Sequence, residues 1–339
     1  MTLSSKVLLT RAIMAYLLRR VPTLLLRRRL FSHVSVVSVP FGKGQTKKGV
    51  ERGPKVILEE GMLLEKLREL DFEVDHFEVE PSEEDRARTR SNAPGLMNAS
   101  QVSATCYRLA ETVAPIAEND RFSLVLGGDH SISVGSINGL VSVWNHLGVV
   151  WVDAHPDLNS PVGSMTGNAH GMSALSSLKV LESPQGFEWL KSKVLPNRLV
   201  YIGIREIDPG EWKMLEQTRV KLFSIKDVDR LGIGKIMEMT NDYLQPGEDS
   251  PVHLSFDIDA FDPLVAPCTG TKVPGGLSLR EGLYIGESLS DTKGLVGMDV
   301  VEFNPELGEK ADVKVTLDTI NILVTATLRK DRTRLRFNY

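Results

Sequence analysis

The sequence predicts an α/β fold: a parallel sheet covered by helices on both faces. Three observations predict it. From residue 35 onward, strand-like runs alternate with helix-like ones. Most of the strand-like runs are short, β-branched and nearly continuous in apolar character, as strands buried on both faces are. After residue 35 the chain has no Pro/Ser/Gly-rich linker and no repeat of about 20–50 residues, so the alternation reads as one domain.

In order, "VSVVSVPF" is the first strand. "GPKVILEEGMLLEKLREL" has helical apolar spacing, with Gly53-Pro54 as its start signal. "DFEVDHFEV" alternates as a short strand, and residues 99–118 read as a helix. Six buried-strand runs follow: "FSLVLGGDH", "LGVVWVDAH", "RLVYIGIRE", "VKLFSIKDVD", "VHLSFDIDAFD" and "GLVGMDVVEFN". Helical stretches separate several of them. Four of these runs end in polar residues: "GGDH", "DAHPD", "DIDAFD" and "VVEFN". Open α/β sheets bind ligands at the carboxyl ends of their strands, so acids and histidines distant in sequence can meet there.

Composition narrows the function. A hydrophobic share of 42% and a charged share of 25% are those of a soluble globular protein with an ample core. The net charge of −4 hides an asymmetry: residues 1–50 hold ten Lys/Arg and no acid. The rest of the chain therefore carries −14, which argues against nucleic acid as the main partner. Cys106 and Cys268 are far apart and form no C-x-x-C, so no disulfide framework is expected.

The N-terminus needs its own reading. Its longest uncharged apolar runs, Ala12–Leu18 and Val21–Leu26, fall far short of the roughly 20 residues of a membrane span. Arginines break the continuous apolar region that a secretory signal requires. Arg-rich, Ser-containing and acid-free, residues 1–32 have the composition of a mitochondrial transit peptide, with a domain over 33–339 and the matrix as destination. A basic disordered tail and a surface-binding helix are the competing readings. The protein is not expected to be an integral membrane protein.

The strand ends carry the chemistry. In an extended segment the side chains at i, i+2 and i+4 share a side, so Asp153, His155 and Asp157 can project together, as can Asp257 and Asp259. His130 adds an imidazole from another strand end. Converging carboxylates without cations would repel prohibitively. Carboxylate oxygens with some imidazole and no thiolate suit Mn²⁺ or Mg²⁺. Six ligands exceed the needs of one catalytic ion, and two ions could share them. A single structural Ca²⁺ or Mg²⁺ is the plainer alternative. Neither an EF-hand nor a P-loop pattern is present.

"LGGDHS", "WVDAHPDLNS", "GNAHG", "IREIDPGE", "SFDIDAFDP", "CTGTKVPGG" and "VVEFNP" together resemble the arginase branch of the ureohydrolases, in order and in spacing. "PFGKGQTKKGVERGP" is similar to that family's N-terminal loop. The resemblance spans residues 35–335, and the transit-like start points to the mitochondrial type. It implies a three-layer α/β/α fold with an eight-stranded parallel sheet. It also implies two Mn²⁺ per chain holding a bridging hydroxide that hydrolyses L-arginine to L-ornithine and urea. His130, Asp153, His155, Asp157, Asp257 and Asp259 would then be the metal ligands. Asp157 would take a proton from the attacking water, His170 would shuttle protons with a pKa near 6.5, and Glu302 would pair with the substrate guanidinium. Asn159, Ser164 and Thr166 would meet the α-carboxylate, Asp208 the α-ammonium, and Thr271 would stand near the substrate. Agmatine lacks that carboxylate, which favours arginine. Family members are commonly trimers, and Arg332 falls near the interface arginine, so a homo-oligomer is expected.

The pattern is broken at several positions. Pro156 stands between two ligands where the family has Thr or Ala, Thr166 replaces Ser, Ala169 replaces Leu beside His170, and Lys272 replaces Pro at the mouth of the site. Proline restricts the residue before it, here His155. These departures leave two other readings open: an agmatinase-like ureohydrolase, and a catalytically impaired regulatory protein on the same fold.

Overall fold

A computed structural model describes residues 31–180, 183–247 and 250–329. The transit-like segment up to residue 30 and Arg332 lie outside the described residues.

Eight strands form one sheet: β1 (His33–Val39), β2 (Glu73–Glu78), β3 (Phe122–Gly127), β4 (Gly148–Val152), β5 (Leu199–Ile204), β6 (Lys221–Ser224), β7 (Val252–Asp257) and β8 (Leu295–Val301). Their order is β2-β1-β3-β8-β7-β4-β5-β6, and every pairing is parallel. All eight segments read as strands in the sequence are strands. β3, β4, β5, β7 and β8 are buried along their whole length, which explains their continuous apolar character. β2 lies at an edge and is largely exposed, which explains its alternation.

Helices flank the sheet. Helix Ala99–Glu118 packs on Ser133–Val143, and helix Leu279–Asp291 packs on Lys310–Leu328 and Ile233–Leu244. One continuous apolar core runs between sheet and helices. The helical reading of residues 53–70 needs correction in one respect: the segment forms two helices, Gly53–Glu59 and Leu63–Glu69. The break falls at Gly61-Met62, where Met62 adopts φ 50°. The Gly61 carbonyl accepts from Asn321 Nδ2 and Lys66 Nζ. Apolar spacing continues across that break, so periodicity alone misses it.

The strand order decides where the chemistry falls. β3, β8, β7 and β4 are consecutive neighbours at the centre of the sheet, and they are the four strands followed by His130, Glu302 and the predicted Asp and His ligands. Gly128, just past β3, lets the chain after β1 come close. A Cβ there would lie 1.7 Å from the Phe41 carbonyl oxygen. Asp129 N–H then donates to that same carbonyl at 3.0 Å.

Candidate metal centre and substrate cleft

β4 stops at Val152, and the ligand-bearing residues after it are irregular. Strand alternation therefore does not bring Asp153, His155 and Asp157 together. Asp157 sits in the left-handed region at φ 48°, and that turn carries it back toward the cluster. Asp257 ends β7, and Asp259 lies in a following turn whose N–H donates to the Asp257 carboxylate at 2.8 Å. The predicted grouping is correct, but tight turns produce it.

Three carboxylates converge on one imidazole nitrogen. His130 Nδ1 lies 3.1 Å from Asp153 Oδ2, 3.1 Å from Asp157 Oδ2 and 3.3 Å from Asp257 Oδ2. A second group adjoins it: His155 Nδ1 lies 3.2 Å from Asp259 Oδ2 and 3.5 Å from Asp153 Oδ1. Two sets of donors thus have the compactness of ion sites, His130–Asp153–Asp257 and Asp153–His155–Asp259, and they share Asp153. His130, Asp153, Asp257 and Asp259 are almost completely buried.

Neighbouring groups hold these ligands in position. The His130 ring stacks on Trp151 at 4.1 Å between centroids, and its Nε2 is 2.9 Å from Ser255 Oγ. The Trp151 indole N–H donates to Asp153 Oδ2 at 2.9 Å. Thr271 Oγ1 donates to Asp259 Oδ2 at 2.8 Å, and His155 Nε2 is 3.2 Å from Glu206 Oε2. Orientation of ligands by such partners is a regular property of metal centres.

The electrostatics show what the cluster lacks. Burial opposes charge on His130, yet hydrogen bonds to Asp153, Asp157 and Asp257 hold its pKa well above the usual value. Burial opposes charge on His155 too, and the Asp259 and Asp153 carboxylates overcome it and raise its pKa. Burial and the Asp153 charge push Asp157 up to about 6. Burial and the neighbouring acids raise Asp257 and Asp259 as well. Only Asp153 goes the other way: against burial, hydrogen bonds to His130 and His155 hold its carboxyl low. Without cations the cluster therefore favours extra protons on its histidines and remaining acids. Divalent cations in the same oxygen-and-imidazole donor set would neutralise it better, so the residues fit them.

The cluster opens into a cleft of about 250 Å³. Five of the six predicted substrate contacts, Asn159, Ser164, Thr166, Asp208 and Thr271, line it beside His155, Asp157, His170 and Asp257, and the sixth, Glu302, does not. Asn159 Nδ2 donates to Asp208 Oδ2 at 3.0 Å, which couples two of them. Ser164 and Thr166 hydroxyls hold the turn by accepting from Gly167 and Asn168 N–H. Glu302, at the end of β8 and at φ 66°, is buried below the cleft. Its Oε1 accepts from His130 N–H at 2.9 Å and lies 3.0 Å from His170 Nδ1. That pairing overcomes burial and raises His170 to about 9, so the expected value near 6.5 is corrected upward.

The departures from the family pattern are accommodated. Pro156 is buried, and His155 and Asp157 on either side of it both reach the cluster. Ala169 is buried, while His170 is held through its own N–H to the Gly44 carbonyl at 3.0 Å and through Glu302. Lys272 is exposed.

Sequence reasoning missed several residues. Asp129 is buried, accepts from Gly44 N–H at 2.8 Å, and is pushed up to about 6 by burial and the Glu302 charge. Glu211 lines the cleft and accepts from Leu158 and Asp208 N–H; burial raises it to about 7. Glu206 and Asn168 also line the cleft. For Glu211 there was a signal, since Asp208-Pro209-x-Glu211 is a capping-box pattern and both halves of the box form.

The arginase family model matches residues 32–326. Human Arginase-1 is 44% identical over 301 residues, covering 87% of this chain and 91% of that protein. The chain belongs to the arginase family. Among solved arginases, that of Bacillus cereus superposes with a TM-score of 0.79 at 36% identity, covering 88% of this chain and 99% of the other. The Entamoeba histolytica arginase, solved in complex with L-ornithine, superposes with a TM-score of 0.77 at 33% identity, covering 87% and 99%. The arginase-family fold thus extends over nearly all the described residues.

Proposed function

We propose that this protein is an arginase that hydrolyses L-arginine to L-ornithine and urea with two Mn²⁺ ions per chain. One observation carries the reading: two ligand groups sharing Asp153 lie at the floor of a polar cleft formed over the central strand ends.

His130, Asp153, His155, Asp157, Asp257 and Asp259 would hold the ions. Bound there, they would supply Lewis acidity and a nucleophilic form of water near neutral pH. The substrate guanidinium pairs with Glu302, a buried carboxylate whose pKa the contact with His170 keeps low against the effect of burial. A guanidinium at Glu302 competes with the His170 ion pair, which lowers the pKa of His170 from about 9 toward a value suited to proton transfer. Water adds to the guanidinium carbon and its proton passes to Asp157. The carbon–Nε bond breaks as Asp157 passes its proton to the departing nitrogen and then takes the adduct's remaining O–H proton, which leaves urea. His170 delivers the second proton to the ornithine amine, and solvent exchange returns Asp157 and His170 to their starting states. Asn159, Ser164 and Thr166 receive the α-carboxylate, Asp208 receives the α-ammonium, and Thr271 supports Asp259 beside them. Agmatine would leave the carboxylate-facing groups without that partner.

The basic, acid-free N-terminus supports import into the mitochondrial matrix, and the family relationship supports a homo-oligomer, a trimer by our reading. Sedimentation reads the second, since a monomeric mass refutes it. The principal test is urea release from L-arginine and agmatine side by side, with added Mn²⁺ and with chelator, alongside metal analysis. Mn²⁺-dependent turnover of arginine, with two ions per chain and little turnover of agmatine, is the expected result. Bound metal without turnover would favour the impaired regulatory reading. Agmatine turnover exceeding that of arginine would favour the agmatinase-like one.

A further inference from the structure

Arg205, just past β5, makes an unusual set of contacts. Its guanidinium is within hydrogen-bonding distance of five backbone carbonyls: Asp259 at 2.6 Å, Val273 at 2.7 Å, Ala260 at 3.1 Å, Phe261 at 3.3 Å and Gly203 at 3.4 Å. Its own backbone N–H donates to the Ala154 carbonyl at 2.9 Å. Ala154 lies between Asp153 and His155, and its N–H donates to Asp259 Oδ1 at 3.2 Å. Val273 lies two residues after Thr271, whose hydroxyl donates to Asp259 Oδ2. One residue therefore ties together the three chain segments that carry or support the Asp153–His155–Asp259 group. It reaches the His130–Asp153–Asp257 group only indirectly, through the Ala154 segment beside Asp153 and through the turn in which Asp259 N–H donates to Asp257 Oδ1. The rigid, planar five-donor fork of arginine suits such a task, and a lysine ammonium cannot span the same carbonyls.

We propose that Arg205 is a positioning residue for the second ion group, holding Asp259, His155 and Thr271 in register so that this group binds its cation tightly. The inference rests on the metal-dependent reading above. Arg198 supplies an internal control. It also donates to backbone carbonyls, those of Leu244 at 2.7 Å and His146 at 3.0 Å, but it sits just before β5, at the opposite end of that strand.

The test is a calorimetric titration of the metal-free full chain with Mn²⁺ alone, for wild type, Arg205→Lys, Arg205→Gln and Arg198→Gln, with thermal unfolding of each metal-free protein in parallel. Arg205→Lys keeps the charge and most of the stem, which guards against simple failure to fold. The expected result is two classes of Mn²⁺ site in wild type. In both Arg205 variants one class weakens by about 10–100-fold while the other, linked to it only through Asp153 and the Asp257–Asp259 turn, weakens distinctly less. Arg198→Gln is expected to lower the melting temperature and leave the isotherm as in wild type. Equal weakening of both classes, or isotherms identical to wild type in the Arg205 variants, would overturn the positioning role. No Mn²⁺ uptake by wild type would overturn the metal-dependent function itself, a distinct outcome.

Discussion

Replacing Phe31 by alanine should destabilise the protein without touching its chemistry. Phe31 is 7% exposed. Its ring meets that of Phe122 edge-on, with centroids 5.9 Å apart and planes at 69°. Phe72, Leu295 and Leu328 line the same apolar groove. Burying such a side chain contributes about 1.5–3 kcal/mol, and an edge-to-face pair adds about 0.5–1.5 kcal/mol. The groove is open, so truncation leaves no sealed void, and the cost belongs near the low end of the roughly 3–5 kcal/mol seen for core Phe→Ala changes. About 3 kcal/mol, at roughly 2–4 °C per kcal/mol for a large domain, lowers the melting temperature by about 6–12 °C. The residue precedes β1, whereas the cleft lies past the other ends of the strands, so kcat/KM at 25 °C should be unchanged. Circular-dichroism melting of wild type, Phe31→Ala and Phe31→Leu, with urea release from each, makes the comparison. A melting temperature within about 1 °C of wild type, or a loss of activity in the folded variant, would refute the reasoning. The same numbers bear on the expected presequence boundary, because a cut after residue 32 would remove Phe31. Chains beginning at Phe31 and at Ser32 should differ in melting temperature by a similar amount.

The other predictions concern the site. His170→Asn should lower kcat by about 10²–10⁴-fold while leaving the Mn²⁺ content measured by atomic absorption unchanged; loss of metal would mean that His170 is structural. Glu302→Gln removes the charge that helps raise His170 and leaves only a neutral acceptor for its ring N–H, so NMR titration should show its pKa falling from about 9 toward the ordinary histidine value. Mn²⁺ at about 100 times its Kd should stabilise the metal-free protein by about 2.7 kcal/mol, read as a rise in melting temperature that chelator reverses. Binding should also release protons, since Asp157 at about 6 and His130 well above its usual value hold protons that a cation must displace. Both folded values are raised, so apparent affinity climbs with pH from the weakly acid range where Asp157 titrates and keeps climbing above neutral, where His130 still holds its proton. Calorimetry in two buffers of different ionisation heat reads the proton count, and a count of zero would contradict the electrostatic picture.

How much of this was legible in the sequence depends on how local the cause was. The strands were readable because full burial imposes an apolar run, and the four polar strand ends were visible as interruptions of those runs. The helix over Ala99–Glu118 was readable from its pattern, whereas the break at Gly61-Met62 was not, because an apolar period does not register one residue at positive φ. Donor types were also local information: acids and imidazoles without thiolate imply oxygen-preferring cations whatever the fold. Three things were decided only by tertiary structure. Strand order set β3, β8, β7 and β4 side by side, so that their ends share one cleft. The left-handed turns at Asp157 and Glu302, which alternation cannot foresee, aimed both carboxylates inward. Contact between distant segments then set their properties: Glu302 against His170 raised a pKa, and Arg205 joined carbonyls from residues 203, 259–261 and 273. Sequence specifies which groups a chain owns and which segments are buried. Distances between those groups, and the energies that depend on distance, exist only once the chain has packed.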